Sequence, residues 1–97
     1  MDLLSLVQEK REQILALAAK HGAFNVRLFG SVVRNEATED SDIDFLIDYD
    51  LERISSWFPV GLIQDLEDLL ERRVDVVTEQ GLKPRIREQV LRDCVGL

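Results

Sequence analysis

The segment Asp42-Ile43-Asp44-Phe45-Leu46-Ile47-Asp48 restricts the fold of this chain more than any other stretch. In an extended backbone Ile43, Phe45 and Ile47 share one face, while Asp42, Asp44, Leu46 and Asp48 share the other. The segment therefore reads as a strand with one face in a core and the other carrying acid. Such a strand needs a sheet with an apolar layer packed against it, and the rest of the sequence supplies the parts.

Asp2 to about His21 is rich in strong helix formers, with Leu4, Val7, Ile14, Leu17 and Ala18 on one stripe that Arg11 interrupts. Asp2 can cap the start of this helix, and Gly22 stands where a helix commonly ends in a left-handed residue. Phe24, Val26 and Leu28 then alternate with Asn25 and Arg27 in a strand that runs to Phe29. Gly30-Ser31 follows directly, and Ser31 to about Ala37 has room for one or two helical turns before polar Thr38-Glu39-Asp40-Ser41.

Beyond a loop from Leu51 to Ser56, Leu62, Leu66, Leu69 and Leu70 recur at helical spacing. Pro59 fits the first turn of that helix, Ser55 or Ser56 its cap, and Arg72 with Arg73 the negative end of its dipole. Val74-Asp75-Val76-Val77-Thr78 is a β-branched strand with one acid, and Pro84 opens a last helix with Ile86, Val90 and Cys94 four apart. This order predicts an α/β (α+β) fold, with a small mixed sheet of three to four strands flanked by helices. Residues 1–97 are expected to form a single domain, since no linker or repeat divides them.

A net charge of −7 makes extended nucleic acid a poor partner, because its phosphates would be repelled. The same acidity suits a protein that gathers Mg²⁺, which then carries the positive charge a polyphosphate needs. A lone cysteine, Cys94, excludes an internal disulfide and is read as a small buried apolar residue. No apolar run approaches the roughly 20 residues of a bilayer span, so no membrane is expected and the location is expected to be cytoplasmic.

Asp42 and Asp44, two apart on a strand, present carboxylates on one face at a spacing that can share a metal ion. Asp75 supplies a third acid; in an otherwise apolar strand it needs a cation or a hydrogen-bonding partner nearby. If the two strands are neighbours, the three acids converge. Gly30-Ser31 occupies a strand-to-helix turn where backbone N–H groups can hold a phosphate, with the Ser31 hydroxyl as a further donor and Arg34 one turn on as a cationic clamp.

Gly30-Ser31, ten residues, then Asp42-x-Asp44 resembles the Gly-Ser-x10-Asp-x-Asp signature of the polymerase-β-like nucleotidyltransferases. The segments Ser41–Asp44, Leu69–Thr78 and Leu82-Lys83-Pro84-x-Ile86-Arg87 extend the likeness to the minimal nucleotidyltransferase (MNT) family. One departure is Arg34-Asn35, where that family commonly has Arg-Gly; asparagine tolerates a left-handed backbone better than most residues.

The resemblance implies a polymerase-β-like fold in which Asp42, Asp44 and Asp75 are catalytic and hold two Mg²⁺ ions, or Mn²⁺ in their place. It also implies Gly30, Ser31 and Arg34 as nucleotide-binding residues and ATP as substrate, with Asp75 able to take the acceptor's proton. Free-standing MNT proteins are similar to the antitoxins of HEPN–MNT pairs, which can transfer AMP from ATP to a tyrosine of a ribonuclease toxin. A cognate HEPN toxin is thus the expected partner.

A rival is an antitoxin that neutralises its toxin by stoichiometric binding alone, and another is transfer to a small-molecule hydroxyl. Asp40-x-Asp42-x-Asp44 imitates an EF-hand start, but Phe45 and Leu51 stand where that loop needs Gly and Glu. Trp57-Phe58-Pro59 is read as core packing ahead of a docking patch, and Lys83, Arg85, Arg87 and Arg92 as a solvated helix face. His21 is read as a helix-end residue interacting with the dipole.

Overall fold

The computed structural model describes residues 2–38 and 40–97; Met1 and Glu39, the latter in the polar stretch before the second strand, lie outside the described residues. The elements run α1 (Leu3–Glu9), α2 (Arg11–Lys20), β1 (Ala23–Phe29), a 3-10 turn (Gly30–Val32), β2 (Ile43–Tyr49), α3 (Val60–Leu70), β3 (Val74–Val77), a second 3-10 turn (Glu79–Gly81), α4 (Pro84–Asp93) and β4 (Val95–Gly96). The sheet order is β3-β2-β1-β4: β1 is antiparallel to both β2 and β4, and β3 is parallel to β2. This is the expected mixed sheet, with four strands.

The single helix expected from Asp2 to His21 is two helices that meet at Lys10. Asp2 caps the first, its Oδ1 accepting from the Ser5 N–H at 2.8 Å. Gly22 follows the second with φ +81°. Helix α3 begins after Pro59 and has no side-chain cap, so neither Ser55 nor Ser56 serves there. Instead the Ser55 hydroxyl accepts from the Trp57 N–H within the preceding turn. The helix ends at Glu71 in a left-handed conformation, φ +55°.

One core joins Leu3, Val7, Ile14 and Ala18 of α1 and α2, Leu62, Leu66 and Leu70 of α3, and Val26, Leu28, Ile43, Phe45, Ile47, Val74 and Val76 of the sheet. Each such large side chain stabilises the fold by about 1.5–3 kcal/mol on burial. The apolar face read from the period-two pattern of β2 is therefore the face that packs on α1–α3. Leu46 is also buried, but with Leu82 it lies outside that core. It alternates with Asp44 and Asp48 and marks the second face of the sheet.

Phe24 departs from the expected alternation and is 54% exposed. The pairing of β1 with β2 shifts register between Phe24 and Arg27, and Asn25 adopts φ +49° there. This bulge turns Phe24 outward while Val26 and Leu28 keep their inward face. Trp57 is likewise 74% exposed and takes no part in the core, whereas Phe58 packs against Tyr49 with ring centroids 5.5 Å apart. Cys94 is half-buried, and its Sγ donates to the Leu91 carbonyl oxygen.

His21 does more than end a helix: its Nε2 lies 2.7 Å from Asp65 Oδ2, joining α2 to α3. That hydrogen bond holds the Asp65 carboxyl below the usual carboxylate range. Among the described residues no helix is long and apolar enough to cross a membrane.

Candidate active site

The parallel pairing of β2 with β3 sets Asp44 directly opposite Asp75. Partners in such a pair project from the same face, so the two carboxylates emerge side by side. Asp42 immediately precedes β2, two residues before Asp44. A backbone tie keeps this register: the Val74 N–H donates to Glu67 Oε2 at 3.0 Å, so α3 fixes where β3 begins.

The Gly30-Ser31 turn arrives from the other side. Phe29, the last residue of β1, pairs with Asp44, and Gly30 follows with φ +79°. A Cβ at Gly30 would fall on Asp44 Oδ2 and lie 3.3 Å from its Cγ. Glycine is thus required twice here, by its left-handed backbone and by the close approach of the carboxylate. The expected one or two helical turns after Ser31 are one short 3-10 turn followed by ordinary turns. Asn35 has φ +58°, the conformation that glycine would adopt most easily, so the Arg34-Asn35 departure preserves a left-handed backbone.

Crowding shows in the electrostatics. Partial burial, then the negative charges of Asp75 and Asp42, push the Asp44 carboxyl up to about 6, while Arg34 pulls it the other way. The Arg34 guanidinium thus acts on the Asp44 carboxyl. Its Nε also pairs with Glu36 Oε2 at 3.1 Å, and it lines a cavity of about 200 Å³ with Phe29, Gly30, Ile86 and Val90. Asp48, the last acid on this face, is paired with Arg27 at 3.0 Å, and Arg27 also holds Glu79.

Asp75 is exposed, which corrects the expectation that burial in an apolar strand would demand a partner for it. β3 is an edge strand with an uncovered acid face, so water can solvate that carboxylate. Among the described residues no three His, Cys, Asp or Glu side chains stand close enough to form a ready-made metal cage. Asp42 is engaged elsewhere, its Oδ1 lying 3.2 Å from Arg73 Nε. The donor set still suits a hard divalent cation: three carboxylates on two adjacent strand starts, with burial first and mutual repulsion next raising Asp44.

Two features escaped sequence reasoning. Ile86 and Val90 of α4 border the cavity at Gly30, and they had been read only as a helix stripe. Arg73 had been assigned to the α3 dipole, although its position two before Asp75 was a signal that it shares the face of the acids.

A Gly-Ser turn after one strand, set against carboxylates on the next two, is the arrangement expected of a nucleotidyltransferase. The chain belongs to the nucleotidyltransferase domain family, which it matches over residues 10–97. It is 42% identical over 96 residues to the protein adenylyltransferase MntA of Thermococcus cleftensis, covering 93% of this chain and 95% of that one. A solved structure classed with the minimal nucleotidyltransferases superposes with a TM-score of 0.83 at 50% identity, covering 100% of this chain and 97% of that one. The fold also recurs in a crystal structure of a toxin–antitoxin with AMP-PNP, with a TM-score of 0.70 at 22% identity over 88% of this chain and 69% of that one.

Proposed function

We propose that residues 1–97 act as one domain that transfers AMP from ATP to a protein hydroxyl, namely a tyrosine of a cognate HEPN toxin. One observation carries this reading: Asp44 faces Asp75 in register, with Gly30 pressed against Asp44. Kinship with a protein adenylyltransferase at 42% identity supports a protein acceptor. Resemblance to HEPN–MNT antitoxins supplies the toxin.

In this reading the Gly30 and Ser31 backbone N–H groups and the Ser31 hydroxyl hold the phosphate chain. Arg34 leaves Glu36 to clamp it. Two Mg²⁺ ions, or Mn²⁺, held by Asp42, Asp44 and Asp75 would neutralise charge on the triphosphate. Asp75, exposed on its edge strand, takes the tyrosine proton. The phenolic oxygen bonds to the α-phosphorus, the bond from that phosphorus to the bridging oxygen breaks, and pyrophosphate leaves.

The test is the intact mass of a co-purified toxin after incubation with this chain, Mg²⁺ and ATP. A gain of one or more AMP units, absent with Asp42→Ala/Asp44→Ala, supports transfer. A stable complex with metal-dependent ATP binding and no mass gain favours neutralisation by binding alone. That second reading draws on Leu51, Trp57 and Val60, which are 76%, 74% and 46% exposed and could be covered by a partner.

A further inference from the structure

Arg73 has no role in the transfer described above, yet it touches one of its acids. Its Nε stands 3.2 Å from Asp42 Oδ1, and its Nη2 donates to the Asp40 carbonyl oxygen at 3.1 Å. Its own carbonyl oxygen accepts from the Ile43 N–H at 2.9 Å, which anchors the backbone while the side chain stays 74% exposed. The guanidinium can therefore move without disturbing the sheet. Arg72 turns away and donates to the Glu71 carbonyl oxygen. The cation beside Asp42 is thus Arg73 alone of this pair.

Its placement is opposite that of Arg34. In the order β3-β2-β1, Arg73 leads into β3 and Arg34 follows the turn after β1, so the two arginines flank the acids from opposite sides. An Asp42 oxygen shared with a divalent ion would set that ion against the guanidinium, and the two positive charges repel. A released arginine needs another anion, and a triphosphate lying along the acids offers phosphate oxygens suited to its planar fork.

Resting on the reading of Asp42, Asp44 and Asp75 as metal ligands, we propose that Arg73 is a positioning residue that exchanges partners. It holds Asp42 while no divalent ion is bound, and once an ion takes that carboxylate it turns to the phosphates of the incoming nucleotide. The exchange makes empty protein a poor metal binder and couples metal capture to nucleotide capture.

The exchange predicts opposite changes from one substitution. In the full chain, Arg73→Gln is expected to tighten Mn²⁺ binding without nucleotide about two- to five-fold, the range of an exposed ion pair. The same variant is expected to weaken MgATP binding about ten-fold through loss of a charge-assisted hydrogen bond. Mn²⁺ is followed by electron paramagnetic resonance and MgATP by calorimetry. Arg73→Lys, which keeps the charge and loses the fork, should leave Mn²⁺ affinity unchanged and weaken MgATP; if Arg73→Gln does not fold, unchanged MgATP affinity in Arg73→Lys overturns the proposal. Both affinities moving together in Arg73→Gln, or neither moving, also overturns it. An Asp44→Asn control that still binds Mn²⁺ normally would instead discard the metal reading itself.

Discussion

Replacing Asp44 by asparagine is expected to stabilise the metal-free protein at neutral pH, although it removes an acid the proposed reaction needs. The carboxyl is pushed from 3.8 to about 6 in the folded state, by burial first and by Asp75 and Asp42 next. Taken in full, that displacement corresponds to about 3 kcal/mol. Solvent reaches the partly buried side chain and screens it, so about 1–1.5 kcal/mol is the expected effect.

The sign follows from the direction. Because the folded value lies above the unfolded one, the cost is absent below about pH 4, where both states are protonated. It grows as pH rises from about 4 to about 6 and stays constant above. Asparagine stands in for the protonated acid, so the variant should match the parent at acid pH and exceed it at neutral pH. Asp65 and Asp2, both held low, act in the opposite sense and lose stabilisation as pH falls, but they are common to both proteins and cancel in the difference.

Urea unfolding with a chelator, at about pH 4 and about pH 7.5, measures that difference, with equal slopes confirming comparable unfolded states. Added Mg²⁺ should then stabilise the parent and not the variant. An Asp44→Asn protein less stable than its parent at neutral pH, or equally altered at both, would refute the idea that burial and the neighbouring acids penalise the Asp44 charge.

Other substitutions probe the turn and the core. Gly30→Ala should cost about 1–2 kcal/mol for its left-handed backbone, and displace Asp44 enough to weaken MgATP binding at least about ten-fold; unchanged affinity by calorimetry would remove Gly30 from the nucleotide site. Asn35→Gly should be nearly neutral, and Asn35→Val should lose about 1–2 kcal/mol because φ is +58°; equal thermal melting of the two would contradict this account of the turn. Leu66→Ala, at a position 2% exposed between α3 and the sheet, should destabilise by about 2–5 kcal/mol in denaturant titrations. A loss under 1 kcal/mol would mean that the site collapses around the cavity.

Much of the fold was legible because it depends on local pattern. The two faces of β2, the leucine stripe of α3 and the left-handed Gly22 are set by spacing and residue type within a few positions. What escaped depends on distant contacts. Phe24 could not be placed outside without knowing that β1 bulges against β2, and β4 is a two-residue strand that exists only because β1 offers it an edge. The break at Lys10 had no proline or glycine to announce it.

The candidate site was legible to a similar depth. Spacing proposed that Asp42 and Asp44 share a face, and the Gly30-Ser31 turn was visible from its place after a strand. Asp75 could be nominated but not registered, since its position opposite Asp44 is set by the α3 crossover and by Glu67 holding Val74. Arg73 was missed because its nearest sequence feature is the end of a helix, and only the folded chain brings it to Asp42.

The parallel pairing of β2 with β3 also orders events in time. A parallel neighbour is reached only through a crossover connection. In a growing chain Asp44 and Asp75 remain strangers until α3 has formed and β3 has been synthesised. A nascent or truncated chain that stops before Val74 carries the Gly30-Ser31 turn, Asp42 and Asp44 but lacks Asp75. The proposed chemistry therefore waits for β3, and a chain cut before it is expected to be inactive.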